Sequence, residues 1–123
     1  PHLVLEKVIV FAMKDGEPLM AFGVMGGHHQ AQGHVQVVLN LLVHRMGLQE
    51  ALAAPRFDFR TENFLALEKD FPSELRIDLA GRGHSIVESD HGPFGGAQAV
   101  RVRSGGVLEG ASDPRKDGLA VGR

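Results

Sequence analysis

The sequence contains no cysteine, and its 123 residues carry a formal net charge of only −2. Without cysteine there is no disulfide framework, no thiol nucleophile and no thiolate metal site, and redox chemistry does not indicate the compartment. A charge so close to zero, without a basic face, does not favour nucleic acid as a partner. No apolar run approaches the roughly 20 residues that span a bilayer, and no signal peptide is recognisable. We therefore expect no membrane partner, and the compartment stays open between cytoplasm and periplasm.

The remaining composition is ordinary, with 43% hydrophobic and 23% charged residues. These fractions are typical of soluble globular chains, and the length suits one domain with its own core, so we predict a single domain over residues 1–123. The chain begins at Pro1 rather than at a methionine, and apolar residues start at Leu3. We expect a piece of a longer protein, with exposed strand edges where the rest would sit. Such edges also allow a homo-oligomer.

The most informative run is the transition from strand to helix within residues 23–37. An apolar, strand-like segment ends at Met25, the pair Gly26 and Gly27 follows, and a helical pattern begins within a few residues. A helix N-terminus presents free N–H groups and favours negative charge, and glycine allows a ligand to approach the backbone closely. The turn is a candidate anion or oxyanion site. A tight turn without any ligand stays open as the alternative.

The residues before this turn predict a β-hairpin. Residues 3–13 read as one strand or two, Asp15 and Gly16 form the turn, and the returning strand runs from Pro18 to Met25. An Asp-Gly pair between apolar runs is a strong hairpin signal. Neither strand alternates between apolar and polar residues, so we expect both faces of the sheet to be covered.

The main helix is predicted over residues 30–46, with Gly47 as its stop residue. At helical spacing, the expected core stripe comprises Val35, Val38, Leu39, Leu42 and Met46, widened by Val37 and Leu41. Three polar residues spaced four apart are expected to form a solvated strip: Gln32, Gln36 and Asn40.

The second half of the chain predicts shorter elements. A helix at 49–54 ends before Pro55, and strands follow at 57–60 and 64–68. A helix capped by Ser73 runs to Ala80. A strand at 85–88, a loop at 90–96 and a hairpin over 97–111 complete the pattern. Mostly antiparallel strands with helices between them predict an α+β sandwich.

Nucleophilic catalysis has no candidate within the chain. Thr61 is the only threonine and lies in a polar connection, and no serine stands in a G-x-S-x-G elbow. No hydroxyl–base pair is recognisable.

Metal and nucleotide sites are not favoured either. The histidines and their acidic neighbour lack the i and i+4 spacing of zinc sites on helices; these residues are His28, His29, His34, His84, Asp90 and His91. His29 and His34 would lie about 140° apart around a helix axis. The order G-x-x-G-G matches no nucleotide-binding loop. We predict neither a metal nor a cofactor.

Five segments resemble, in order and spacing, the C-terminal part of the gamma-glutamyltranspeptidase family. They are residues 23–27, 32–37, 50–56, 95–100 and 110–115. The resemblance is greatest to the gamma-glutamyltransferase-related bacterial members, and residues 14–18 fit the hairpin that precedes these segments.

This resemblance implies the N-terminal-nucleophile hydrolase fold, an αββα sandwich of which the chain would be the C-terminal fragment of the small subunit. The family's precursor cuts itself, and the new N-terminal threonine of the small subunit is the nucleophile, so it would lie upstream of this chain. The family transfers a gamma-glutamyl group from glutathione-type amides to water or an amine. By resemblance, Gly26 and Gly27 would supply the N–H groups of its oxyanion hole.

The implied partners are the large subunit, the N-terminal part of the small subunit and a small-molecule gamma-glutamyl substrate. The isolated chain would then be inactive. The sequence differs from the family pattern at three positions: Glu6 and Lys7 stand about where the family has a serine pair, and His28 replaces a small hydroxyl residue. A non-catalytic binding or structural module on the same scaffold stays open as the alternative.

Overall fold

The computed structural model describes residues 8–89 and 94–122. These residues form two compact units, one from 8–54 and 95–122 and a smaller one from 55–89 and 94. The expectation of a single domain over residues 1–123 stays a prediction. Within the described ranges, no helix is long and apolar enough to cross a membrane.

The larger unit is built on a four-stranded antiparallel sheet in the order β1–β2–β6–β7. Its strands are β1 (Val8–Lys14), β2 (Glu17–Met25), β6 (Gly96–Val102) and β7 (Leu108–Ser112). Its helices are α1 (Gln30–Leu42) and α2 (Leu48–Ala53). Two short 3-10 turns, Gly27–His29 and Ser104–Gly106, precede α1 and join β6 to β7.

The predicted hairpin between β1 and β2 is confirmed. Asp15 and Gly16 have φ angles of 52° and 83°, the pair of positive values that a two-residue turn of type I′ requires. The strand register shifts between Ala12 and Met13. The Asp-Gly pair therefore placed this turn correctly from local sequence alone.

Both helices pack on the same face of the sheet, where they form the core of the larger unit. Phe22, Ala99 and Ala111 lie side by side across three strands of that face. The core comprises Met20, Phe22, Val24, Val37, Leu41, Leu48, Ala51, Leu52, Ala97, Ala99 and Ala111.

The opposite face of the sheet is apolar and exposed, so the prediction of two covered faces is wrong for the described residues. Ile9 and Phe11 are 60% and 69% exposed, and Val100 on β6 is also exposed. A groove of about 1050 Å³ runs along this face, and residues 118–122 form part of its lining. The unbroken apolar runs indicated burial on both sides, but no other described element of this unit packs over Ile9 and Phe11.

The predicted extent of the main helix is wrong at its C-terminal end. The helix ends at Leu42, and Arg45 adopts a φ of 55° as the chain turns away. Gly47 is the residue before α2 rather than the stop of α1, and its N–H donates to Glu50 Oε2 at 3.2 Å. Glycine occurs both just after the end of a helix and just before the start of one. The identity of Gly47 alone therefore did not decide which helix boundary it marks.

The predicted core stripe of α1 is also wrong in part. Val35 and Leu42 are 57% and 64% exposed, and Leu39 is exposed as well, whereas Val37 and Leu41 are buried. Val38 and Met46 are partly buried against the core. Apolar residues surround most of this helix, so periodicity could not select the face that meets the sheet.

The polar strip of α1 is not solvated, contrary to the prediction. Gln36 is buried, and its Nε2 donates to the carbonyl oxygen of Gln32 at 3.2 Å. Asn40 Nδ2 donates to the carbonyl oxygen of Ala51 in α2 at 3.2 Å. The strip therefore lies partly buried, with Asn40 joining the two helices.

The smaller unit is a three-stranded sheet with one helix. Its strands are β3 (Phe57–Phe59), β4 (Phe64–Glu68) and β5 (Ser85–Ser89), and α3 (Ser73–Gly81) connects the parallel pair β4 and β5. The other strand pairs among the described residues are antiparallel, and the prediction of mostly antiparallel strands is confirmed. The prediction of Ser73 as the cap is wrong, since Pro72 holds that position and Ser73 is the first helical residue.

A buried polar cluster holds the strands of the smaller unit. The backbone N–H of Arg56 donates to Glu68 Oε2 at 2.7 Å, and both residues are almost fully buried. The guanidinium of Arg56 donates to the carbonyl oxygen of Phe94 at 2.8 Å. Arg76 of α3 donates to the Glu68 carbonyl oxygen. Hydrogen bonds of this kind allow charged groups to be buried between strand and helix.

Replacing Gly33 with alanine is expected to destabilise the fold by about 1–3 kcal/mol, because a Cβ there would overpack the contact between α1 and β2. The added Cβ would lie 2.7 Å from Val24 Cγ1 and 3.2 Å from the His29 ring. The clash should outweigh the roughly 1 kcal/mol by which alanine favours a helix over glycine. Thermal unfolding measures the change.

Gly81→Ala is the matched control, since a Cβ at this helical glycine meets nothing within 4 Å. It should be neutral or slightly stabilising. Equal melting temperatures for Gly33→Ala and the unmodified protein would contradict the close packing of α1.

Candidate active site

The predicted turn between strand and helix is formed by two glycines in conformations that favour glycine. Gly26 has a φ of 137° and Gly27 a φ of 55°, and the 3-10 turn that follows leads directly into α1. Positive φ angles place a Cβ against the backbone in other residues, most severely at values such as that of Gly26. The backbone path, not a side chain, therefore defines this corner.

The hydrogen bonds of the turn use its carbonyl groups. The N–H of His29 donates to the Gly26 oxygen at 3.1 Å, and the N–H of Gln30 donates to the Gly27 oxygen. Over the ranges that the structure describes, the N–H groups of Gly26 and Gly27 have no acceptor. Both glycines are exposed. Donors that have no acceptor among the described residues, at the N-terminal end of a helix, favour a bound negative charge.

Gly95 supports the turn from behind, through a contact between backbones. Its φ is 67°, and a Cβ on it would overlap the carbonyl oxygen of Met25. A Cβ on Gly26 would in turn lie 3.0 Å from the Cα of Gly95. Next to them, Gly96 pairs with Met25, and the stem of Lys116 crosses it. The corner thus brings together glycines from two separate parts of the sequence, which are Gly26, Gly27, Gly95 and Gly96.

Gly95 and Gly96 were not predicted as site residues. Their only signal in the sequence was their place in the segment 95–100, one of the five that carry the family resemblance. The local sequence pattern predicted a loop for both residues. Their contact with Gly26 depends on the pairing of β2 with β6.

His34 attaches α1 to the end of β2. The backbone N–H of Val24 donates to His34 Nε2 at 3.3 Å. A backbone N–H can only donate, so Nε2 is the acceptor and Nδ1 carries the proton that is donated to the Gln30 oxygen at 2.5 Å. The ring also lies 5.4 Å from that of Phe22. His34 is a structural residue behind the glycine turn.

The other histidines of the predicted groups that the structure describes lie in different environments. His29 is buried behind the turn, His28 is exposed beside Gly27, and His84 belongs to the smaller unit. Among residues 8–89 and 94–122, no group of three histidine or carboxylate side chains could hold a metal ion. Asp90 and His91 lie outside these ranges.

Thr61 lies in the connection between β3 and β4, as predicted for a loop residue. It lines a cavity of about 290 Å³ in the smaller unit, together with Arg60 and Ser89. The guanidinium of Arg60 donates to Asp58 Oδ2 at 3.1 Å. Thr61 and the glycine turn belong to different units of the chain.

A buried carboxylate, that of Asp113, lies against Ala97 at the beginning of β6. Asp113 is fully buried, and the side chain of Arg115 is 4% exposed. Asp113 Oδ2 accepts the N–H of Ala97 at 2.9 Å. Its Oδ1 accepts the backbone N–H of Arg115 at 2.9 Å and the guanidinium at 3.0 Å. A buried charge requires partners of this kind.

The guanidinium of Arg115 also caps the C-terminal end of α2. It donates to the carbonyl oxygens of Leu52 at 2.9 Å and Ala54 at 2.8 Å, while Asn40 donates to that of Ala51. The last carbonyl groups of a helix have no partner within the helix, so these side chains supply one. In the sequence, Arg115 was marked only by its place in the segment 110–115, which carries part of the family resemblance.

The sequence profile of the gamma-glutamyltranspeptidase family matches residues 7–123. The chain belongs to this family. The match includes the glycine corner, the Asp113–Arg115 pair and the smaller unit, and it confirms the resemblance drawn from the five segments.

Curated members of the family with related sequences are enzymes made as proenzymes. An acylase proenzyme of Pseudomonas sp. strain SE83 is 36% identical over 91% of this chain. A glutathione hydrolase-like proenzyme of Bacillus subtilis is 35% identical over 89%, and the glutathione hydrolase proenzyme of Escherichia coli is 33% identical over 89%. The chain spans about a fifth of the length of these relatives, 20%, 22% and 19% respectively.

Solved structures of gamma-glutamyltranspeptidases and acylases share the fold. Cephalosporin acylase from Bacillus halodurans superimposes with a TM-score of 0.86 at 39% identity, over 89% of this chain and 21% of its own. Gamma-glutamyltranspeptidase from Pseudomonas nitroreducens gives a TM-score of 0.84 at 24% identity, over 100% of this chain and 65% of its own. The predicted α+β fold of the N-terminal-nucleophile hydrolase type is confirmed.

Replacing Gly95 with alanine should destabilise the protein by about 3 kcal/mol or more, through backbone strain at positive φ together with the clash against Met25. Gly105→Ala is the control, because Gly105 has a similar φ of 77° but a Cβ there meets nothing within 4 Å. It should cost only the strain, about 1–2 kcal/mol. Equal losses of unfolding free energy in the two variants would show that the close backbone contact between Gly95 and Met25 contributes nothing.

Proposed function

We propose that this chain is the C-terminal portion of the small subunit of a gamma-glutamyltransferase-like hydrolase. Gly26 and Gly27 supply its oxyanion hole, and the nucleophilic threonine lies upstream of the chain. The observation that carries the proposal is that Gly26 and Gly27 are exposed and that, within residues 8–89 and 94–122, their N–H groups have no acceptor at the N-terminal end of a helix. Membership of the family supports the same assignment.

In the proposed reaction, the threonine hydroxyl attacks the carbonyl carbon of the gamma-glutamyl amide. The carbonyl oxygen gains negative charge, and the two glycine N–H groups donate to it. Such donors act best at about 2.7–3.1 Å and need no rearrangement when they are already fixed. The C–N bond then breaks, the amine leaves with a proton, and the acyl group stays on the threonine as an ester. Water or an acceptor amine releases it.

The remainder of the precursor is the proposed partner of the chain. The exposed apolar face with Ile9, Phe11 and Val100 supports this, because a contiguous apolar surface of this kind marks a contact with another part of a protein. The chain also spans only about a fifth of its proenzyme relatives, 20% and 22% in two of them. A homo-oligomer stays a prediction.

A second candidate is an amide hydrolase that acts on an acyl group other than gamma-glutamyl. The acylase proenzyme of Pseudomonas and the cephalosporin acylase of Bacillus halodurans favour it, at 36% and 39% identity. The differences at Glu6, Lys7 and His28 from the transpeptidase pattern point the same way. Faster turnover of other acyl amides than of a gamma-glutamyl anilide by the full-length protein would favour this candidate.

Gly27→Val in the full-length protein should lower kcat on a gamma-glutamyl anilide by about 10²–10³-fold, the usual cost of losing one oxyanion donor. A Cβ at Gly27 meets nothing within 4 Å, so the loss would come from the backbone. A β-branched residue rarely adopts a φ of 55°, and the turn must shift to accept it. Steady-state kinetics measure the change.

Gly105→Val introduces the same side chain at a positive φ in the turn between β6 and β7. This control should keep kcat within about twofold, a change far smaller than the loss of an oxyanion donor. Unchanged turnover in Gly27→Val would remove Gly27 from the site.

The isolated chain should release no product from a gamma-glutamyl anilide, because its only threonine, Thr61, is not the nucleophile of the proposed site. The full-length protein, assayed in parallel, should be active, and replacing the threonine at its processing site with alanine should abolish that activity. Clear turnover by the pure fragment would refute the assignment of the nucleophile. A parent sequence without that threonine would instead support the non-catalytic module.

A further inference from the structure

We propose that the buried pair Asp113 and Arg115 sets the position of the Gly26–Gly27 turn, which makes both residues positioning residues for catalysis. The inference rests on the proposed function for its catalytic consequence, but the structural coupling that it describes can be measured separately. It depends on a series of contacts that leads from the carboxylate to the glycine corner.

The first contact joins Asp113 to both backbone groups of Ala97, its N–H and its carbonyl oxygen. The N–H of Ala97 donates to Asp113 Oδ2 at 2.9 Å, and the N–H of Asp113 donates to the Ala97 oxygen at 2.9 Å. Both residues are fully buried. One residue on the segment after β7 therefore determines where the start of β6 lies.

The second contact leads from the start of β6 to the turn. Ala97 pairs with Val24 and Gly96 pairs with Met25, directly before Gly26. Gly95 touches the backbone of Met25 and Gly26 so closely that no Cβ fits at Gly95. Backbones in contact leave no side chain to absorb a displacement, so a shift of β6 along its axis moves the turn.

The third contact fixes the carboxylate itself. The guanidinium of Arg115 holds Asp113 Oδ1 at 3.0 Å and is anchored to the carbonyl oxygens of Leu52 and Ala54. The carboxylate is therefore oriented by the end of α2, a helix packed in the core. Together, Arg115 and Asp113 join α2, β6 and the segment after β7 at one buried point.

A positioning role and a purely stabilising role predict different kinetics. Oxyanion donors act on the transition state more than on the bound substrate, so a displaced turn lowers kcat while KM changes little. A pair that only stabilises the fold would lower the melting temperature and leave kcat of the folded enzyme unchanged.

The test is Asp113→Asn in the full-length protein. Asparagine keeps the shape, but if its oxygen accepts from Arg115, its amide group must face the N–H of Ala97, one donor against another. On a gamma-glutamyl anilide, kcat should fall by about tenfold or more, part of the loss expected for an oxyanion donor. KM should change by less than about threefold, since ground-state binding is retained. Deuterium uptake should rise in peptides covering residues 24–28 and 95–98.

Glu109→Gln is the matched control. It makes the same carboxylate-to-amide change on the same pair of strands, where Glu109 holds Arg101 at 2.7 Å and Arg103 at 2.8 Å. Its kcat should stay within about twofold of the unmodified enzyme, because it alters no oxyanion donor. Deuterium uptake at residues 24–28 should be unchanged.

A folded Asp113→Asn variant with unchanged kcat and unchanged uptake at residues 24–28 would overturn the inference. If that variant does not fold, Arg115→Lys keeps the charge with fewer donors, and it should show a smaller loss of kcat together with a smaller rise in uptake. If the unmodified protein turns over no amide at all, the proposed function fails. The uptake at residues 24–28 then still decides whether Asp113 positions the turn.

Discussion

The backbone contact between Gly26 and Gly95 is the constraint on which the architecture of the larger unit depends. It requires two residues without side chains, in conformations that favour glycine, to meet from parts of the sequence about seventy positions apart. The pairing of β2 with β6 brings them together, and the helix that begins just after Gly26 is oriented by the same contact. The N–H groups of the two exposed glycines, Gly26 and Gly27, are thereby held in place by secondary-structure elements on both sides.

Buried and partly buried polar groups fix the remaining distances around this corner. Asp113 and Arg115 join the start of β6 to the end of α2, and His34 joins the end of β2 to the first turn of α1. Each of these side chains bonds to backbone groups of another element, so each fixes a distance that apolar packing alone would leave loose. Apolar contacts tolerate small sliding movements, whereas hydrogen bonds of defined length and direction do not.

The exposed apolar surfaces of the larger unit fit the place of the chain in its family. Ile9 and Phe11 lie on a sheet face that no described helix covers, while Val35 and Leu42 lie on the outer side of α1. In the proenzyme relatives, the matching region is about a fifth of a longer protein, 20% in the Pseudomonas acylase and 19% in the Escherichia coli glutathione hydrolase. Both surfaces are consistent with a sequence adapted to a larger assembly, and they explain why apolar periodicity overestimated burial.

The sequence by itself determined the local features: the Asp15–Gly16 turn, the strand at Phe64–Glu68 and the glycine pair before a helix. Each depends on backbone preferences or short-range pattern. The tertiary structure decided which face of α1 is buried, because apolar residues surround that helix, and the space at Gly33 selects the side that meets Val24. It also decided that Gly95 and Asp113 belong with the turn. Contacts between distant segments depend on strand pairing, which no local pattern of residues encodes.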